Sequence, residues 1–91
     1  MPRLVVHDQY VRDARRYTAQ MRQRAAEALE RFQVNPYHPG LNFEKLRGWD
    51  DLYSIRISRG FRILLRRVAV AGGGEYYAAF RMGPHDIYDR M

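Results

Sequence analysis

The fold is decided by Tyr53-Ser-Ile-Arg-Ile-Ser-Arg-Gly-Phe-Arg62, a stretch in which apolar and polar residues alternate on both sides of a glycine. Such alternation predicts two antiparallel strands of a hairpin. A three-residue loop over residues 58–60, with Gly60 in the left-handed conformation, would place Arg56 opposite Arg62. Facing like charges destabilise a free protein by roughly 0.2 to 1 kcal/mol unless an anion lies between them. The hairpin therefore predicts a phosphate-binding site.

The charge balance indicates an anionic partner. The 91 residues contain 16 lysines and arginines against 10 aspartates and glutamates, which gives a net charge of +6. All of these cations except Lys45 are arginines, whose planar guanidinium group matches phosphate and stacks on bases. The composition favours nucleic acid as the partner class, and a basic surface that only maintains solubility is equally compatible with it.

The chain contains no cysteine, which excludes disulfides and thiolate metal sites. His7, His38 and His85 are far apart in sequence and form no metal-binding motif, so we predict no metal and no cofactor. No apolar run is long enough to span a membrane, and the N-terminus lacks the apolar core of a signal peptide. We therefore expect a cytoplasmic protein with no membrane partner.

An apolar stripe at spacings of three and four residues predicts helical structure near the N-terminus. The stripe consists of Tyr10, Ala14, Tyr17, Met21, Ala25, Ala28 and Phe32. We predict two helices rather than one long helix, because Thr18 can cap a second helix after a break near Tyr17. Asp8 is the expected N-cap of the first helix, and a short strand over residues 3–7 precedes it. The stripe is interpreted as the face that packs on a sheet.

Two prolines and a glycine within residues 35–40 end the helical part of the chain. Three consecutive strands are predicted after it, over residues 52–58, 61–70 and 75–82. In the last of these strands, Arg81 would lie on the same side as Ala79, with Phe80 on the other. The order β-α-α-β-β-β predicts one α+β domain over residues 1–91, with a small antiparallel sheet and two N-terminal helices on one face.

Motifs spread over nearly the full length of the chain resemble one known family. They are Asn35-Pro36, Glu44-Lys-Leu-Arg-Gly48, Tyr53-Ser-Ile-Arg56, Gly60-Phe-Arg-Ile63 and Gly83-Pro-His-Asp-Ile-Tyr88. In this order and spacing they resemble the RelE/ParE superfamily of bacterial toxin-antitoxin toxins, and in particular its RelE- and YoeB-like branch. The resemblance implies a microbial RNase fold. It also implies a metal-independent endoribonuclease, an mRNA interferase, that cleaves messenger RNA in the ribosomal A site and so inhibits translation.

In the reaction that the resemblance implies, a ribose 2′-hydroxyl attacks the adjacent phosphate and leaves a 2′,3′-cyclic phosphate. Arg62 matches the arginine of the family's Gly-aromatic-Arg motif and would stabilise the phosphate, with Arg56 beside it. Glu44 matches the general-base glutamate of the YoeB-like branch, and His85 matches the histidine that serves as general acid. RelE itself has a lysine where this chain has Ser54, so the base here would be Glu44 or His85.

Four further residues are assigned to substrate binding, namely Tyr88, Arg81, Lys45 and Arg47. Tyr88 resembles the terminal tyrosine that contacts or stacks on the substrate in the family. The implied partners are a cognate antitoxin, messenger RNA in the ribosomal A site and ribosomal RNA. Two alternatives stay open, a ParE-like toxin of the same fold that inhibits DNA gyrase without being an enzyme, and a degenerate member that only binds its antitoxin or RNA.

Overall fold

The computed structural model describes residues 2–87, which form two helices and a five-stranded sheet. In chain order the elements are β1 (Leu4–Val6), α1 (Asp8–Ala14), α2 (Ala19–Val34), a 3₁₀ turn (Pro39–Leu41), β2 (Glu44–Lys45), β3 (Leu52–Ser58), β4 (Phe61–Ala69) and β5 (Glu75–Pro84). The strand order in the sheet is β1-β5-β4-β3-β2. The predicted α+β class with two N-terminal helices is confirmed.

The break between the helices lies where the sequence predicts it. The Thr18 hydroxyl accepts a hydrogen bond from the Met21 N–H at 3.1 Å and caps α2. The cap of α1 differs from the prediction, because His7 precedes the helix and its Nδ1 accepts from the Gln9 N–H at 3.3 Å, while Asp8 is the first helical residue. Neither of the helices in residues 2–87 is long and apolar enough to cross a bilayer.

The sheet is mostly antiparallel, as predicted from the sequence, with one parallel pair that the sequence did not predict. β1 runs parallel to β5, with Leu4 opposite Tyr77, whereas the other pairs are antiparallel. The helices and three strands separate β1 from β5 along the chain, so no local pattern reveals this pairing. The short strand β2, in which Glu44 lies opposite Ser54, is also an addition to the predicted order.

In the hairpin between β3 and β4, Arg56 lies opposite Arg62 as predicted, but the turn differs and Phe61 lies opposite Ser58 rather than Ile57. Ser58 pairs with Phe61, so the loop is two residues long rather than three. Gly60 has φ of 84°, the left-handed conformation that glycine adopts without a steric penalty. One extra residue in β3, Ile57, compensates for the shorter loop and leaves Arg56 opposite Arg62. The pairing of the two arginines is therefore confirmed.

A bulge in β5 changes which side chains share a face. Leu64 lies opposite Arg81 and Leu65 opposite Ala79, so Phe80 is an extra residue in β5. As a result Ala79 and Met82 both lie in the core under the helices, and the strict alternation predicted for this strand is wrong.

Both faces of the sheet carry a buried cluster. The face that packs on the helices, called here the helix face, includes Ile55 and Ile63, which are fully buried together with Phe32 of α2. The opposite face, called here the second face, carries a smaller cluster of Leu46, Leu52, Leu64 and Ile87. Ile87 follows the last strand, so the chain turns back over the second face after β5 and brings residues of that turn beside the hairpin.

Candidate active site

Arg56 and Arg62 stand side by side on the second face of the sheet. Their neighbours Ile55 and Ile63 are a cross-strand pair in the helix-face core, and side chains alternate along a strand, so the arginine pair projects from the opposite side. Arg56 is exposed, whereas the Arg62 side chain is only 19% exposed. The two guanidinium groups therefore form the cationic end of this face.

Glu44 reaches this pair from the neighbouring strand. Its Oε1 lies 3.6 Å from Arg62 Nη1, close enough for an ion pair but too far for a hydrogen bond. Arg62 Nη1 is buried and has no hydrogen-bond acceptor within residues 2–87. A buried donor without an acceptor is costly, so this nitrogen would gain from an incoming oxygen such as that of a phosphate. The Glu44 side chain is 55% exposed and can move without disturbing the core.

His85 is fixed to the hairpin turn by its backbone. Its N–H donates a hydrogen bond to the Gly60 carbonyl at 2.6 Å, and its side chain is exposed. Two residues later, Ile87 is buried in the second-face cluster and anchors the turn that carries the histidine. This contact joins residues 25 positions apart, which is why the hairpin pattern alone did not reveal it.

One pocket brings together three of the four predicted catalytic residues, whereas Glu44 does not line it. Its lining consists of Arg56, Arg59, Gly60, Arg62 and His85, and its volume is about 430 Å³. Arg59 was not predicted as a site residue, although its position in a tight turn directly before Gly60 is a signal that could have identified it. Three guanidinium groups and one imidazole thus surround a space large enough for a phosphate and its ribose.

The structure does not bring Arg81 to this pocket, contrary to the sequence-based assignment. Arg81 Nε donates to Asp13 Oδ2 on α1 at 2.7 Å, and the same oxygen accepts from the Met82 N–H at 3.0 Å. Asp13 is only 2% exposed. Burial raises the pKa of Asp13, but hydrogen bonds from Arg81, Met82 and Gln9 outweigh burial and bring the pKa below its ordinary value. Arg81 therefore joins α1 to β5 and does not line the pocket.

The remaining predicted binding residues lie elsewhere. Lys45 and Arg47 are exposed and line a separate depression at the turn between β2 and β3. Tyr88 lies outside the described residues. Within residues 2–87, no group of three or more histidine, cysteine, aspartate or glutamate side chains is arranged to hold a metal ion.

The geometry supplies the groups that phosphoryl transfer needs. Guanidinium groups can neutralise charge that develops on a phosphate, while a carboxylate and an imidazole can move protons at its two sides. Glu44 contacts Arg62, and His85 lines the same pocket as Arg62. A phosphate bound at Arg62 would therefore have a carboxylate and an imidazole in its neighbourhood.

Comparison with known proteins identifies the fold. No protein-family model matches the chain, and no curated protein matches it significantly in sequence. Among solved structures, one chain of the RelB-RelE antitoxin-toxin complex from Methanococcus jannaschii matches with a TM-score of 0.66 and 22% identity, covering 96% of this chain and 98% of that chain. The YoeB/ParE toxin from Agrobacterium tumefaciens matches with a TM-score of 0.69 and 20% identity, covering 91% and 98%. The chain therefore has the fold of RelE/ParE-superfamily toxins.

Proposed function

We propose that this chain, which has the fold of RelE/ParE toxins, is the toxin component of a type II toxin-antitoxin system. Its proposed activity is that of a cytoplasmic endoribonuclease that cleaves messenger RNA in the ribosomal A site and thereby inhibits translation. The fold is that of solved toxin structures, one of which is described as an antitoxin-toxin complex. The nuclease assignment rests on the pocket rather than on the fold, because one fold can carry several functions.

In the proposed reaction the ribose 2′-hydroxyl attacks the adjacent phosphorus, and the bond to the 5′-oxygen breaks. Glu44 would accept the proton of the 2′-hydroxyl, and His85 would donate a proton to the departing 5′-oxygen. Arg62 and Arg56 would bind the non-bridging oxygens, on which charge builds in the transition state. Phosphate binding at Arg62 would also replace its contact with Glu44, which leaves the carboxylate able to act as a base. Every step uses side chains of this chain, without a metal ion.

The single observation that carries this proposal is the convergence of three guanidinium groups and one imidazole in one pocket. Stabilisation of the fold does not explain why Arg56 and Arg62 face each other, because two facing arginines oppose folding in the absence of an anion. The buried Arg62 Nη1, which has no hydrogen-bond acceptor within residues 2–87, points to the same ligand class.

Substitution of the proposed groups tests the reaction directly. We expect Arg62→Ala and His85→Ala each to lower cleavage by at least about 100-fold, which is the usual effect of removing an electrostatic or acid-base group. The measurement is the mapping of transcript ends after brief induction, with and without translating ribosomes. Arg24→Ala is the matched control, because Arg24 is an exposed arginine on α2.

Full cleavage in both pocket variants, with the fold verified by circular dichroism, would exclude this active site. DNA damage without shortened transcripts would instead favour the ParE-like alternative, in which the toxin acts on gyrase. Normal growth during induction of the intact chain would favour a member that only binds.

We also propose that an antitoxin covers part of the helices and the free edge of β1. β1 lies at the end of the sheet, and Val5 and Val6 are 49% and 48% exposed there. An unpaired strand edge with apolar side chains favours addition of an extended segment. Because the chain is strongly basic, an acidic or amphipathic segment would complement it in charge.

A further inference from the structure

The turn between β2 and β3 presents an exposed indole in the same depression as two cations. Trp49, the only tryptophan in the chain, has 47% of its surface exposed. Lys45 and Arg47 are exposed as well, and neither takes part in an ion pair within residues 2–87. The depression that these three residues line has a volume of about 500 Å³. Trp49 contributes little to either core, so packing does not account for its position.

This turn is held in place by β4. The Arg67 N–H donates to the Asp51 carbonyl at 2.8 Å, and the Arg67 guanidinium donates to the Asp50 carbonyl at 3.4 Å. Arg66 Nη1 forms an ion pair with Asp51 at 3.2 Å. A surface that is fixed before binding loses less conformational entropy when a ligand arrives. The exposed indole is therefore presented on a preformed turn.

The depression lies a few residues along β3 from the candidate active site. Glu44 contacts Arg62 in the active-site pocket, and the next residue, Lys45, lines the depression. Leu46 donates its N–H to the carbonyl of Leu52, which lies four residues before Arg56 along β3. Four residues of a strand span roughly 13 Å. An extended nucleic-acid strand of a few nucleotides can therefore contact both places at once.

We propose that this turn is a second binding site for single-stranded RNA, in which Trp49 stacks on a base while Lys45 and Arg47 bind the flanking phosphates. The inference rests on the proposed function and extends it with a subsite away from the reacting phosphate. Stacking on an aromatic side chain tolerates any base, since every base has a π-face. An acidic peptide could pair with the two cations but offers no equivalent partner for the indole. Asp50 is the one acidic side chain in the lining, so cations outnumber it.

The intrinsic fluorescence of Trp49 tests this subsite without relying on catalysis. The probe is a single-stranded 2′-O-methyl RNA oligonucleotide, which lacks the 2′-hydroxyl needed for cleavage. We expect saturable quenching of the fluorescence, and we expect the quenching to disappear when one base, a few nucleotides from the active-site position, is replaced by an abasic residue. Trp49→Ala should weaken binding of the intact oligonucleotide about tenfold to a hundredfold, as measured by anisotropy. Tyr37→Ala is the matched control, because Tyr37 is 76% exposed and lies after α2.

The possible results distinguish a failure of the RNA-binding subsite from a failure of the nuclease proposal. Unchanged fluorescence at oligonucleotide concentrations that saturate the anisotropy signal overturns the subsite, even if the chain cleaves messenger RNA. Quenching in a chain that fails to cleave supports the subsite and contradicts only the nuclease. Quenching by polyglutamate but not by RNA would assign the turn to an acidic protein segment and overturn the inference.

A ribosome-binding measurement shows whether the base that stacks on Trp49 belongs to messenger RNA or to ribosomal RNA. Sedimentation of the chain with ribosomes, with and without bound messenger, compares the intact protein with Trp49→Ala. A loss of affinity that requires messenger indicates a messenger base, and a loss in both samples indicates ribosomal RNA. Equal affinity of the two proteins in both samples contradicts the inference.

Discussion

Gly83 helps to position His85, the candidate general acid, because the absence of a side chain leaves room for the turn that carries the histidine. It is buried in β5 directly opposite Arg62. A Cβ at this position would lie 2.5 Å from Ile87 Cδ1 and 3.4 Å from the Tyr17 hydroxyl. Ile87 packs in the second-face cluster, and His85 lies between Gly83 and Ile87 in the closing turn. The absence of a Cβ at Gly83 therefore allows Ile87 to pack closely on β5, and this packing determines the course of the turn that carries His85.

We expect Gly83→Ala to displace Ile87 and to lower both stability and cleavage. Overpacking of this kind costs about 1–3 kcal/mol, which urea denaturation measures. Cleavage should fall further than the population of folded protein, because His85 moves with the turn. Transcript-end mapping at a temperature where the variant is folded separates the two effects.

Ile87→Val provides the internal control, since it removes the methyl group that the added Cβ of Gly83→Ala would meet. Alone it should cost about 1 kcal/mol. In the double variant the two losses of stability should be less than additive, because the clash is absent. Additive losses would show that Gly83 and Ile87 do not interact in this way.

At the scale of elements, the Asp13–Arg81 pair connects α1 to the bulged part of β5. The Asp13 side chain is 3% exposed and the Arg81 side chain 24% exposed. Gln9 Nε2 donates to the other carboxylate oxygen at 3.1 Å, so both oxygens of Asp13 accept hydrogen bonds. The pair fixes the helix on the sheet beside the strand that leads to His85.

We expect Asp13→Asn to destabilise the protein by about 3 kcal/mol, because it leaves a largely buried guanidinium without its counter-charge. Urea denaturation near pH 7 gives the difference from the unmodified chain. Asp8→Asn is the matched control in the same helix, since Asp8 is exposed and should contribute less than about 1 kcal/mol. Equal effects of the two substitutions would contradict a specific role for Asp13.

The Asp13–Arg81 pair should make the stability of the folded protein depend on pH, with a direction that follows from the pKa of Asp13. The pKa of Asp13 is lower in the folded protein than its ordinary value. A lowered pKa contributes stability that is complete above the pKa of the unfolded chain, about 3.9, and is lost as the pH falls through the folded value. The stability difference between the unmodified chain and Asp13→Asn should therefore narrow below about pH 4. A constant difference down to pH 2 would contradict this.

At the scale of the whole molecule, the net charge of +6 governs encounter with RNA. Each phosphate contact releases bound counterions, so affinity for single-stranded RNA should fall steeply with salt. We expect Arg56→Ala and Arg62→Ala each to reduce the slope of log affinity against log salt by roughly 0.7 to 1. Fluorescence anisotropy between 50 and about 300 mM salt measures the slopes. Arg24→Ala should leave the slope unchanged if Arg24 makes no phosphate contact.

Structural features with local causes could be predicted from the sequence. Hydrophobic periodicity and the Thr18 cap located the helices, and alternation with a glycine turn set Arg56 opposite Arg62. These features depend on residues close together in the chain, where the side-chain period and the turn chemistry leave few options.

Contacts between residues that are distant in the chain could not be predicted from local patterns. Three such contacts join residues 25 to 73 positions apart. They are the parallel pairing of β1 with β5, the hydrogen bond between His85 and Gly60, and the ion pair between Arg81 and Asp13. The bulge at Phe80 brings both Ala79 and Met82 under the helices, which strict alternation along β5 does not allow. Such contacts result from packing the whole sheet against the helices, and that packing is a property of the complete chain rather than of any segment.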